Sequence, residues 1–141
     1  MGKRIDEFCE DLRLKLTNIE NGMNSLKAKA EGKAEQAERE VRSHLAAVQK
    51  RLAQDEAKAS AARAEIKAWL DQKKTATAEK IAEWKAKAET AHLKHRADMA
   101  DRYAQASVAV AMAALDEAEQ ATLEAWLARA DATFGPSGLS P

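Results

Sequence analysis

The sequence predicts an all-α fold: an elongated antiparallel helical hairpin of two long helices plus an N-terminal helix, coiled-coil-like, assembling into an oligomeric helix bundle. Three observations carry this. No proline occurs between Met1 and Gly135. That span is filled largely by Ala, Lys, Glu, Arg, Gln and Leu, the residues that lose least on entering a helix. Past Gly2 only Gly22 and Gly32 interrupt the run, and glycine and proline are the residues that weaken or break a helix interior.

The first element is an amphipathic helix over residues 1–21. Ile5, Phe8, Leu12, Leu16 and Ile19 recur at helical spacing and form one stripe. Asn18, Asn21, Gly22, Asn24 and Ser25 cluster after it and predict a break. This helix either folds back as a third partner or docks on another subunit.

Residues 22–134 are expected to form the long hairpin. Leu26, Ala30, Ala34, Ala37, Val41, Leu45, Val48, Leu52, Ala59, Ala62, Ile66 and Leu70 fall within one sector of about 100° on a helical wheel. Leu26, Ala37, Val48 and Ala59 repeat by elevens, which favours a straight or slightly right-handed seam over a regular left-handed coiled coil. The stripe stops at residues 71–77, where Thr75 or Thr77 suits a helix cap with Glu79 in the following turn. A reversal there, near Lys74, sets Trp69 opposite Trp84, Leu45 opposite Val108, Val41 opposite Met112, Leu26 opposite Trp126 and Ile19 opposite Phe134. The segment Ala104–Leu115 is apolar almost all round, the pattern of a surrounded helix. Gly135-Pro136 predicts the helix end, leaving 135–141 as a flexible tail.

Composition narrows the function classes. Aromatics are 4% of the chain and charged residues 33%, so a thin seam of larger side chains is expected, with burial completed by self-association. The formal net charge is +0, which removes any global polyanion-binding signal and makes nucleic acid an unlikely partner. The charge is unevenly spread: residues 41–96 carry 13 Lys/Arg against 7 Asp/Glu, and residues 97–141 carry 2 against 7. Cys9 is the only cysteine, which fits a reducing compartment, and with no signal-peptide pattern a cytoplasmic location is expected.

Candidate chemistry is sparse. His92 and His95 form an i, i+3 pair, and the reversal near Lys74 puts Asp55 opposite His95, so His92, His95 and Asp55 are the candidate metal or haem ligands. The alternatives are that this Asp–His pair is a buried hydrogen bond that sets register, or that these are ordinary solvated side chains. His44 lies at the edge of its helix's stripe, a structural position. Trp69, Trp84 and Trp126 each follow an aliphatic residue by three positions, which is core spacing. No catalytic triad, phosphate-cradling glycine loop or zinc-finger spacing is present, so no enzyme and no cofactor are expected.

The functional expectation is a non-enzymatic self-assembling structural or adaptor protein acting through helix–helix contacts. Its partners are itself and another helical protein. Ile5, Phe8, Leu12, Leu16, Ile19, Val108, Met112 and Leu115 are its interaction residues. One alternative is an amphipathic protein that lays its Leu26–Leu70 face on a membrane, lipid or storage-granule surface. In composition and eleven-residue tendency this alternative is similar to phasins and exchangeable apolipoproteins. The other is a metal- or haem-binding bundle.

Overall fold

The computed structural model describes the backbone of residues 2–139 and the side chains of residues 2–133. Among the described residues the chain is all-α. Its helices are α1 (Gly2–Lys29), α2 (Ala34–Thr75), α3 (Ala78–Ala86) and α4 (Thr90–Leu139). The two long helices α2 and α4 pack against each other as the arms of a hairpin.

The first chain break differs from expectation. The Asn-rich segment lies inside α1, and the chain turns at residues 30–33 instead. Gly32 carries the turn with φ +117°, a conformation open to glycine and strained for other residues. Leu26 therefore lies before the turn and Ala30 within it, so the stripe read as one face from Leu26 to Leu70 is shared between two helices. Gly22 is helical because its neighbours outvote its propensity, and it serves packing, as shown below.

The reversal also lies later than expected. α2 ends at Thr75, and Thr77 caps α3, its Oγ1 accepting from the Lys80 N–H at 3.2 Å. The turn is completed beyond α3. There the Glu89 N–H donates to the Trp84 carbonyl at 2.9 Å and the Ala88 N–H to the Lys85 carbonyl at 3.3 Å, with Ala88 at φ 56°. This is a Schellman termination with alanine where glycine is usual. Partners on α2 and α4 consequently lie roughly twenty positions, about 30 Å of helix, from where a reversal at Lys74 would put them. Trp69 meets Tyr103 and not Trp84, and Arg51 meets Asp116 and Glu119. The pairing of Asp55 with His95 fails for the same reason, and the Phe134 side chain paired with Ile19 lies outside the described residues. The α4 backbone runs helically past Gly135-Pro136 to Leu139, where the sequence predicts a tail; residues 140–141 lie outside the described residues.

The chain divides into two compact units. Unit 1 comprises Met1–Ala53 and Ala114–Pro141. Here α1 folds back as a third helix. Leu26, Val41, Val48, Leu123 and Leu127 form its core, with Met23 and Leu45 packed against them. Unit 2 is Gln54–Ala113, and its buried apolar residues are all alanines: Ala59, Ala62, Ala76, Ala106 and Ala113. Small side chains let helix backbones approach closely, so this unit closes on a thin seam. In the Ala104–Leu115 segment only Ala106 and Ala113 are buried, and Val108, Met112 and Leu115 are half-buried. Its nearly continuous apolar character is thus only partly covered within the chain.

Candidate functional site

Unit 1 holds a charged network on the apolar faces of three helices. Asp116 on α4 is 0% exposed, and Glu119, one turn later, is also buried. Lys15 of α1 donates to Asp116 Oδ1. Arg51 of α2 donates from Nε to Asp116 Oδ1 at 2.7 Å and from Nη2 to Glu119 Oε1. His44 Nε2 stands 3.0 Å from Glu119 Oε2, which accepts when ionised, so this bond puts the proton on Nε2. Burial alone would lower the Arg51 pKa, but the hydrogen bonds to Glu119 and Asp116 and their charges hold it above its ordinary value. The guanidinium fork suits this place because it reaches two carboxylates at once.

Gly22 lies against the network's edge. A Cβ at Gly22 would lie 3.2 Å from His44 Cε1. Without one, α1 passes close enough for the imidazole to stay turned toward Glu119. A shallow groove follows between α1 and α2, lined by residues that include Gly22, Ser25, Glu40, Ser43 and His44. Its mixed charges and small lining side chains define no ligand chemistry.

Next along α1, the interaction stripe changes character. Leu26 is buried, and Met23, Ile19 and Leu12 are partly covered, but Leu16 is 47%, Phe8 46% and Ile5 57% exposed. All lie on one face by helical spacing. The stripe that forms the unit 1 core therefore continues into solvent over the first turns of the helix. Cys9 beside it is exposed with a free thiol.

Unit 2 carries the aromatic residues in a different role from the core positions their spacing predicts. Trp69 stacks on Tyr103 with centroids 5.7 Å apart and 22° between planes, and the Arg96 guanidinium carbon lies 5.7 Å from the Trp69 ring centre. Trp84 of α3 stacks on His92 at 4.8 Å and 10°. Both tryptophans are half-buried, and Trp126 of unit 1 is exposed. These rings clasp their neighbours at the surface because the alanine seam leaves no interior deep enough for an indole.

The metal candidates are not gathered. His92 is engaged with Trp84, His95 is exposed, and Asp55 is about 30 Å of helix out of register with His95. Among the described residues no group of three His, Cys, Asp or Glu side chains is placed to hold a metal ion. Among the same residues no helix is long and apolar enough to cross a membrane.

Lys15, Arg51, Asp116 and Glu119 are not among the candidate residues expected from the sequence. A signal for them was present. Asp116 and Glu119 share the stripe of Leu123, Leu127 and Ala130 on α4, and His44 and Arg51 share that of Val41 and Val48 on α2. Charged residues on an apolar face at matching spacing are what a buried network looks like in sequence.

Comparison with known proteins adds no relative: no protein-family model, curated protein or solved structure matches the chain.

Proposed function

We propose that this chain is a non-enzymatic helical assembly module that pairs with a second copy of itself through the N-terminal half of α1. The observation that carries this is the continuity of the α1 stripe, buried at Leu26 and exposed at Leu16, Phe8 and Ile5. A helix face that packs at one end and lies bare at the other is the kind of surface an isologous dimer covers, each copy presenting the same patch. The half-covered Val108, Met112 and Leu115 of α4 offer further apolar surface to the same assembly, or to a helix of another protein. A cytoplasmic setting belongs to this proposal, since the free thiol of Cys9 stands in solvent beside the interface.

The test is sedimentation velocity over a wide concentration range, on the native chain and on an Ile5→Ser/Phe8→Ser variant. Covering the exposed half of each of these side chains is worth roughly 1 kcal/mol. Two residues on each of two copies give about 4 kcal/mol, a weakening of roughly a thousandfold in the variant. A native chain that stays monomeric at every concentration refutes the proposal. So does a variant that dimerises as well as the native chain.

A further inference from the structure

We propose that the end of unit 2 built from the last turns of α2, the short α3 and the first turns of α4 is a docking surface for an anionic phospholipid bilayer. This is independent of the α1 contact in unit 1. Residues 67–96 contain eight Lys/Arg and four Asp/Glu, with His92 and His95 in addition. Among the described residues Lys67, Lys73, Lys74, Lys80, Lys85 and Lys94 hold no ion pair, while Glu83, one of the four acids, is taken up by Lys87 at 2.9 Å.

The apolar residues of this end are flanked by lysines at helix-neighbour spacing. Leu70, 50% exposed, lies between Lys67 and Lys74. Trp84 lies between Lys80 and Lys87, and Ile81 is followed one turn later by Lys85. α3 contains no fully buried residue, so part of Ile81 and Trp84 remains open. Apolar side chains ringed by lysines whose stems can spread outward fit the boundary between headgroups and acyl chains. An indole is suited to that depth. Exposed lysines then meet the negative leaflet surface.

Single-stranded nucleic acid is the competing polyanion. It is recognised by aromatic faces left open for bases to stack on. Here Trp69 has Tyr103 and Arg96 against its ring, and Trp84 has His92. The ring faces taken by these partners are closed to bases, and the surface that remains combines aliphatic side chains, the open part of Trp84 and ammonium groups, which favours the bilayer.

The experiment is flotation of the full chain with vesicles of mixed phosphatidylserine and phosphatidylcholine, and with pure phosphatidylcholine. The chain is expected to float with the anionic vesicles only, and to be released by high salt. A Lys80→Glu/Lys85→Glu variant, altered only at exposed positions, is expected to bind roughly 25-fold more weakly or worse. A Lys27→Glu/Lys50→Glu variant makes the same charge change at exposed sites of unit 1 and is expected to float as the native chain does. The Ile5→Ser/Phe8→Ser variant is expected to float too, which separates this proposal from that of self-pairing. Absence of flotation overturns the proposal, as does equal loss in both charge variants. Binding to polyuridylate in place of vesicles, lost on Lys80→Glu/Lys85→Glu, assigns the surface to nucleic acid and overturns it as well.

Discussion

Replacing Arg51 with Met tests whether the buried network holds unit 1 together. Arg51 reaches both Asp116 and Glu119, and Met keeps much of its stem volume while removing the charge. Breaking a buried ion pair typically costs 3–5 kcal/mol because a charge is stranded in low dielectric. Two features reduce that here. The Arg51 side chain is 37% exposed, so solvent already screens part of the interaction. Lys15 still serves Asp116, and His44 still serves Glu119. The expected loss is about 2 kcal/mol, equivalent to a fall in Tm of roughly 6 °C for a chain of this size. Urea denaturation followed by circular dichroism measures it. Arg51→Lys is expected to recover less than half, since one ammonium cannot span both carboxylates as the fork does. In a double-mutant cycle with Glu119→Gln the coupling is expected to be about 1 kcal/mol or more. A loss below about 0.5 kcal/mol for Arg51→Met, in the range of an ordinary surface substitution, would refute the idea that these charges are desolvated.

Two further outcomes follow from the α3 region. Ala88→Gly relieves an alanine held at positive φ and is expected to stabilise the chain by about 0.5–1 kcal/mol, read as a rise in Tm; a fall would mean that the αL termination is not maintained in solution. Glu83 is held below the usual carboxylate pKa by its hydrogen bond to Lys87, and the Lys87 pKa is raised in return. Because the folded carboxyl value is depressed, its contribution is complete above the unfolded value and is lost as pH falls through the folded one. Lys87→Ala is expected to return the Glu83 carboxyl toward its ordinary range in an NMR titration, and an unchanged titration would contradict the pairing.

How much of this was legible in the sequence differs from element to element. Helix content was, because it rests on propensity and on the absence of proline. So was the pairing of the two long arms, which rests on one amphipathic stripe in each. Register was not, and Ala88 shows why. A helix that ends in an αL alanine carries no glycine to announce it, so the termination is visible only in the hydrogen bonds at Glu89 and Ala88. A cap at Thr75 or Thr77, by contrast, was readable, and of the two it is Thr77 that caps α3. The Asn-rich segment gave a break signal that local propensity supports and tertiary packing overrides. Met23 and Leu26 at the core and Gly22 against His44 hold the helix through that segment. Within the interaction set, Ile5, Phe8 and Leu16 are the residues left bare, a distinction that periodicity cannot make because all five α1 positions share one face.

The two units use different chemistry to solve one problem. Long Ala-rich helices slide easily, since shifting the register by one turn replaces one small side chain with another at little cost in packing. The fully buried apolar residues of unit 2 are all alanines, so position along the helices is set nearer its surface, by Trp69 on Tyr103 and Trp84 on His92. Large flat rings with definite stacking partners cannot move a turn without losing those contacts. Unit 1 has a Leu and Val core that favours association but tolerates several alignments. Its charged groups do not. A one-turn shift of α4 would carry Asp116 about 5 Å from Arg51 and Lys15 and leave a buried carboxylate without its cations. Gly22 adds a steric marker at the same level, because a Cβ there would lie 3.2 Å from His44 Cε1 and press on the imidazole. Polar groups in a seam often contribute specificity more than stability. Here the carboxylate they converge on belongs to α4 and the cations to α1 and α2, so a single alignment satisfies three helices together. That alignment fixes which end of the α1 stripe is covered and which is left exposed.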